Sequence, residues 1–259
     1  MKASPESVCE RRISARGKPI LAGLYLAKYD TRGLKRLGFK GFKEAFNVLG
    51  YGLGSRPASI KNYRDEFDPL FPNPRKGWHK RPIRDYCLNV FEKYDGLDFE
   101  SFTGLINSFA EYYDIGSSET TAEAEDDRGS SFAKRLITGL AAEQYFESVQ
   151  ASLPDFSGYS VENTTRYGCG YDFRLRREPS QKDFLAVEVK GLQERTGSLS
   201  LTPKEYGVAS VLKERFFLFV VKNFQEVPFH EIFRNPISGT LQFRKTERKI
   251  VQVSWMATL

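Results

Sequence analysis

Histidine and cysteine are scarce in this chain, and their scarcity excludes several chemistries. Only two histidines, His79 and His230, occur in 259 residues, too few for an imidazole-based zinc site. The three cysteines, Cys9, Cys87 and Cys169, are scattered, with no CxxC pair and no metal-ligand spacing. That pattern suits a reducing cytoplasm, not a disulfide framework. No run of about 18 apolar residues occurs, so no membrane span is expected. The opening stretch MKASPESVCERRISARGK has no apolar segment, which predicts no secretory leader and a cytoplasmic location. No GxxxxGK[ST] run is present, so no motor and no nucleotide cofactor are expected. No methyltransferase motif and no internal repeat are visible.

What is present is an ordinary globular composition, 40% hydrophobic and 28% charged, with a formal net charge of +6. The basic charge is unevenly placed. Residues 31–84 hold thirteen Lys/Arg against four Asp/Glu, whereas residues 111–128 hold seven acids and one Arg. A basic first half is the electrostatic footprint expected for a polyanionic partner such as nucleic acid. The acidic, small-residue stretch IGSSETTAEAEDDRGSS reads as a linker or loop over 115–131. It divides a mostly helical half, 1–114, from an α/β half, 132–259.

In the first half, Phe39, Phe42, Phe46 and Leu49 recur at helical spacing, and Gly50 is expected to stop that helix. After YGLGSRP, a second helix places Ile60, Tyr63 and Phe67 on one face, with Lys61, Asn62, Arg64 and Asp65 projecting elsewhere. Two short helices around a Gly-rich turn fit a helix-turn-helix, and equally a small helical bundle. The following NPRKGWHKRPIRDY reads as a basic loop carrying Arg75, Lys76, Lys80 and Arg81 around Trp78 and His79. Together with Arg56, Lys61, Asn62 and Arg64 these are the candidate DNA contacts. Trp78 fits stacking on a base or anchoring of its loop in the core. Two further helices broken near Gly96 complete the half.

The second half opens with a long helix, SSFAKRLITGLAAEQYFESVQASL, in which Glu143 extends the face of Leu136 and Leu140 while Glu147 is expected to be exposed. A hairpin follows. Period two sends Tyr171, Phe173 and Leu175 to one side and Asp172, Arg174 and Arg176 to the other. On its second strand Leu185, Val187 and Val189 share one face, Glu188 and Lys190 the opposite one. Antiparallel pairing brings Asp172 beside Glu188 and Lys190. Two close carboxylates repel unless a cation lies between them. Hard oxygen donors select Mg²⁺, which keeps some of its waters. Water there can serve as nucleophile on a phosphodiester, with Lys190 orienting or deprotonating it. A solvated cross-strand salt bridge is the alternative reading of the same three residues.

The pattern D-x15-E-V-K, preceded by a helix bearing Glu143, resembles the PD-(D/E)XK nuclease superfamily. Asp172, Glu188 and Lys190 match its metal-binding acid, second acid and lysine, and Glu143 its helix carboxylate; Tyr171 stands where proline is usual. The wider run through GCGYDF, VEVKG, SLTPKEYGVA and FFLFVVKN is similar to a NO VEIN-type C-terminal domain over roughly residues 135–225. The resemblance implies a mixed sheet flanked by helices, and nuclease components of restriction systems in a prokaryotic cytoplasm. Within this frame TPKE, Thr202 to Glu205, fits a helix cap. Gln193 is a candidate for contact with the scissile backbone.

The expectation is therefore an α+β, Mg²⁺-dependent (Mn²⁺ substituting) endonuclease for double-stranded DNA, a homodimeric type II restriction enzyme. Its metal ligands would be Asp172 and Glu188. The alternatives are a modification-dependent or repair nuclease, or a DNA-binding regulator with a silent nuclease fold.

Overall fold

The computed structural model describes residues 13–73, 75, 82–111, 128–178, 180, 182–239 and 241–247; side chains of 110, 111 and 128–136 are left aside. Among the described residues, seven helices and a five-stranded mixed sheet make up the fold, with the helices gathered mainly in the N-terminal part. This is the α+β architecture expected.

The first helix, α1 (Gly17–Arg36), is buried along most of its length through Ile20, Leu21, Leu24, Tyr25 and Leu26. Helices α2 (Phe42–Gly52) and α3 (Pro57–Phe67) follow as a pair. Gly50 does not end α2, which runs on to Gly52. Gly50 is instead a contact point: a Cβ there would lie 2.7 Å from the Pro57 backbone, so only glycine lets α3 start this close. Phe39 precedes α2 and is buried. Helices α4 (Asp85–Tyr94) and α5 (Phe99–Glu111) break near Gly96 as expected.

Segment 115–131 lies outside the described residues up to 127; its last residues already belong to α6 (Arg128–Val149). This helix joins the two halves. Gly52 of α2 packs on Ile137, and Phe146 meets Phe173 and Phe219 of the sheet. One hydrophobic cluster therefore includes Leu24, Val48 and Phe102 as well as Phe146, Val187 and Phe219. Asn47, buried on α2, donates to Phe224 O at 2.7 Å and Glu226 O at 2.8 Å, tying α2 to the far end of the sheet.

The sheet order is β1 (Ser160–Asn163), β2 (Phe173–Arg176), β3 (Leu185–Gly191), β4 (Phe216–Lys222) and β5 (Phe229–Arg234). Only β3 and β4 are parallel. The crossover between them carries α7 (Pro203–Leu212). Strand β4, FFLFVVK, is buried over six of its seven residues, as its continuous apolar run predicts. His230 lies on β5, stacks on Phe219 at 4.8 Å and shares a hydrogen bond with the Tyr145 hydroxyl. No helix among the described residues is long and apolar enough to cross a membrane.

Candidate active site at the end of the sheet

The hairpin departs from strict alternation at one place, and that place is Asp172. Phe173 is the ladder partner of Val187, yet the Asp172 N–H also donates to Val187 O at 3.0 Å. Two residues of one strand thus face one of the other, which is a β-bulge. Upstream of it the alternation slips by one. Tyr171, expected beside Phe173 and Leu175, packs instead with Ala186, Ala209 and Phe216. Its hydroxyl accepts from Arg174 Nη2 at 2.8 Å. Bulges re-aim side chains, and here the Asp172 carboxylate reaches past the strand end to accept from Val189 N–H at 2.8 Å. Gly170, at φ +83°, allows the preceding turn to pass close to α7.

On β3, Val187 and Val189 enter the main core while Glu188 and Lys190 take the opposite parity. Glu188 is 3% exposed. Its Oε1 lies 2.6 Å from Lys190 Nζ. The ammonium also donates to Glu205 Oε2 at 3.0 Å. Glu205 caps α7 as expected: Thr202 Oγ1 accepts from Glu205 N, and Glu205 Oε2 accepts from Thr202 N. The cap assignment was therefore right but incomplete, since the same carboxylate enters the site. Topology was the signal that finds it. A parallel crossover returns α7 with its N-terminus near the carboxyl end of β3, where open α/β sheets place their ligands.

The electrostatics are those of a carboxylate cluster short of positive charge. Burial, then the neighbouring Glu143 carboxylate, raises the Asp172 pKa to about 7, against the opposing Val189 N–H and Lys190. Burial also raises Glu143 to about 7, helped by Glu188 and Glu147 and opposed by a hydrogen bond from Thr165. Glu188 is pushed well above the carboxylate range by burial and then by Asp172. Burial works against charge on Lys190, but Glu188 and Glu205 outweigh it and hold its pKa above the ordinary value. Lys190 is therefore an ammonium here, able to donate and to stabilise negative charge but not to take up a proton.

Of the residues expected in the site, Asp172, Glu188 and Lys190 are brought together, and Glu143 is close enough to share their repulsion. Glu147 is exposed, as expected. Gln193 is half-buried, and its backbone carbonyl accepts from Gln225 N at 3.2 Å. On the first half, Arg56, Lys61 and Asn62 are exposed. Arg64 is a correction. It is only 9% exposed, its guanidinium lying over Phe42 at 4.5 Å and Phe46 at 5.1 Å, so it is not on a surface that DNA can reach. The helical period misassigned it because a long aliphatic stem lets arginine fill a seam between helices. Arg75 is likewise engaged, bidentate on Asp68 and paired with Asp30. Lys76, Lys80 and Arg81, with Trp78 and His79, lie outside the described residues.

No group of three or more His, Cys, Asp or Glu among the described residues is arranged to hold an ion. Mg²⁺ does not require one, since it is commonly bound through one or two carboxylates, with waters and phosphate oxygens completing its shell. Asp172 and Glu188 are two such hard donors, and the repulsion that raises their pKa values is what a divalent cation relieves. The donor chemistry fits such an ion, provided Glu188 shares its oxygen with Lys190 or releases it.

A sheet-end cluster of carboxylates and one lysine defines a candidate hydrolytic site. Residues 142–234 match the family described as Protein NO VEIN, C-terminal, a domain associated with the PD-(D/E)XK-like nuclease group. The match takes in Glu143, Asp172, Glu188, Lys190 and Glu205, and leaves out α1 to α5. No curated protein and no solved structure matches the chain significantly.

Proposed function

We propose that this chain is a Mg²⁺-dependent endonuclease that hydrolyses phosphodiesters of double-stranded DNA, and that it works as a homodimeric type II restriction enzyme. The observation that carries the reading is the bulged hairpin that packs Asp172, Glu188 and Lys190 together, with Glu143 alongside. A divalent cation on Asp172 and Glu188 would supply Lewis-acid stabilisation and an activated water. The chain's own residues do the rest. Lys190 presents an ammonium to the charge that develops on the phosphoryl oxygens. The Val189 N–H keeps the Asp172 carboxylate aimed. Arg56 at the N-cap of α3 and Lys61 and Asn62 midway along it, all exposed, contact the duplex backbone, with Lys76, Lys80 and Arg81 adding charge from the following stretch of sequence. Arg64 and Arg75 are withdrawn from that set. A site-specific enzyme suits a chain with one basic helical half and one half that carries the candidate site.

The test is digestion of a mapped plasmid, methylated and unmethylated, with Mg²⁺ or with chelator, followed by sequencing of the ends. The parent should give defined ends only with the ion. Lys190→Ala should lose roughly 10²–10³-fold in rate, the scale of one transition-state donor, and Glu188→Ala should be inactive, both binding DNA like the parent. Cleavage restricted to methylated DNA would select the modification-dependent reading. Variants that cut as the parent does would refute the site.

A further inference from the structure

Lys190 is held from two sides, and only one of its holders belongs to the hairpin. Glu188 Oε1 lies 2.6 Å from its ammonium and Glu205 Oε2 3.0 Å. The two carboxylates differ in origin. Glu188 rides on β3 beside Lys190, whereas Glu205 comes from the first turn of α7, on the far side of the crossover. Glu205 is itself fixed: its Oε2 also accepts from Thr202 N at 2.9 Å, and its side chain is only 15% exposed. A lysine side chain has considerable rotamer freedom, about 2 kcal/mol of entropy, and needs more than one partner to stand still. The hairpin partner is also the one whose oxygen an ion would claim. Glu205 is instead tied to the helix cap, its Oε2 accepting from Thr202 N as well as from Lys190.

We propose that Glu205 is a positioning residue, anchoring the Lys190 ammonium from the capped end of α7 so that it stays in place when the Glu188 carboxylate turns to an ion. This inference rests on the nuclease reading of the same site. It assigns Glu205 a role beyond its cap, and it makes the α7 cap part of the active-site framework.

Three substitutions separate the cap from the anchor. Glu205→Gln keeps the cap, because glutamine serves equally at this position, but replaces a charge-assisted acceptor with a weaker neutral one. Thr202→Ala damages the cap and leaves the Glu205 carboxylate. Glu205→Ala removes both. Glu205→Gln should melt with the parent yet lose kcat by roughly 10–100-fold, the usual cost of losing a supporting partner, with KM for DNA unchanged. Thr202→Ala should melt lower and keep the parent kcat. In ion-free protein, the Lys190 side-chain ¹⁵N signal should shift and its protons exchange faster in Glu205→Gln than in the parent or Thr202→Ala. If kcat instead follows melting temperature across the set, or Glu205→Gln keeps both kcat and the Lys190 signal while Lys190→Ala loses rate as expected, Glu205 is only a cap. Lys190→Ala cutting like the parent would overturn the nuclease reading and the anchor's catalytic purpose with it.

Discussion

Replacing Asp172 with asparagine should make the protein more stable while removing its activity. Burial and Glu143 raise the Asp172 carboxyl from an ordinary 3.8 to about 7. One pKa unit is about 1.4 kcal/mol, so the ionised form is disfavoured by roughly 4 kcal/mol in the fold. The folded chain holds this proton more tightly than the unfolded one. The contribution of this group to stability is therefore fully present in acid, falls as pH rises from roughly 4 to 7, and is flat above that window. Asparagine removes the charge and keeps an oxygen to accept from Val189 N–H. It also gives up the attraction of Lys190, and Glu143 shares the repulsion that is relieved. We set the net gain at neutral pH at roughly 1–3 kcal/mol, or about 3–10 °C in Tm for a chain of this size. The assay is urea and thermal denaturation in chelator across that pH range. The parent should lose stability with rising pH and Asp172→Asn should lose less. Adding Mg²⁺ should stabilise the parent and not the variant. An Asp172→Asn protein that is less stable than the parent at neutral pH, with the same pH slope, would refute the electrostatic account of the site.

Four further outcomes follow from packing and charge. Arg64→Ala should destabilise by roughly 1–2 kcal/mol, from lost stacking on Phe42 and Phe46, with no change in the salt dependence of DNA binding. Lys61→Ala should leave Tm alone and lower the salt slope by about 1, measured by fluorescence anisotropy titrations. Asn47→Ala leaves the carbonyls of Phe224 and Glu226 without their donor and should cost about 1–3 kcal/mol by urea denaturation. Gly50→Ala drives a methyl into the Pro57 backbone and should cost about 1–3 kcal/mol, whereas an exposed glycine such as Gly104 should tolerate alanine far better.

The hairpin was legible from residue order because the β3 apolar set and the Glu188–Lys190 pair follow a strict period of two. The α6 helix, the break near Gly96, the buried β4 run and the TPKE cap were legible for the same reason, each being a local pattern with a local cause. What escaped depends on distant partners. The bulge at Asp172 leaves no mark in composition, so Tyr171 was placed on the wrong side. Arg64 follows the helical period onto an outward position, but α2 lies over it and supplies two rings. Glu205 is separated from Lys190 by a loop whose path only the parallel β3–β4 pairing fixes. Gly50 looks like a terminator until Pro57 is known to sit against it.

The shared core across α6 has a consequence for how such proteins diversify. Helices α2 and α5 pack on α6 as the sheet does, and Gly52 meets Ile137 without room for a methyl. A segment trimmed to the sheet and α6 would bare Ile137 and Ala141 to water. If the first-half helices bind DNA as proposed, they are therefore not exchangeable like a cartridge on a flexible tether. On the proposed function, new targets would be reached by altering exposed positions such as Arg56, Lys61 and Asn62 on a frame that the sheet-bearing half itself needs in order to stand.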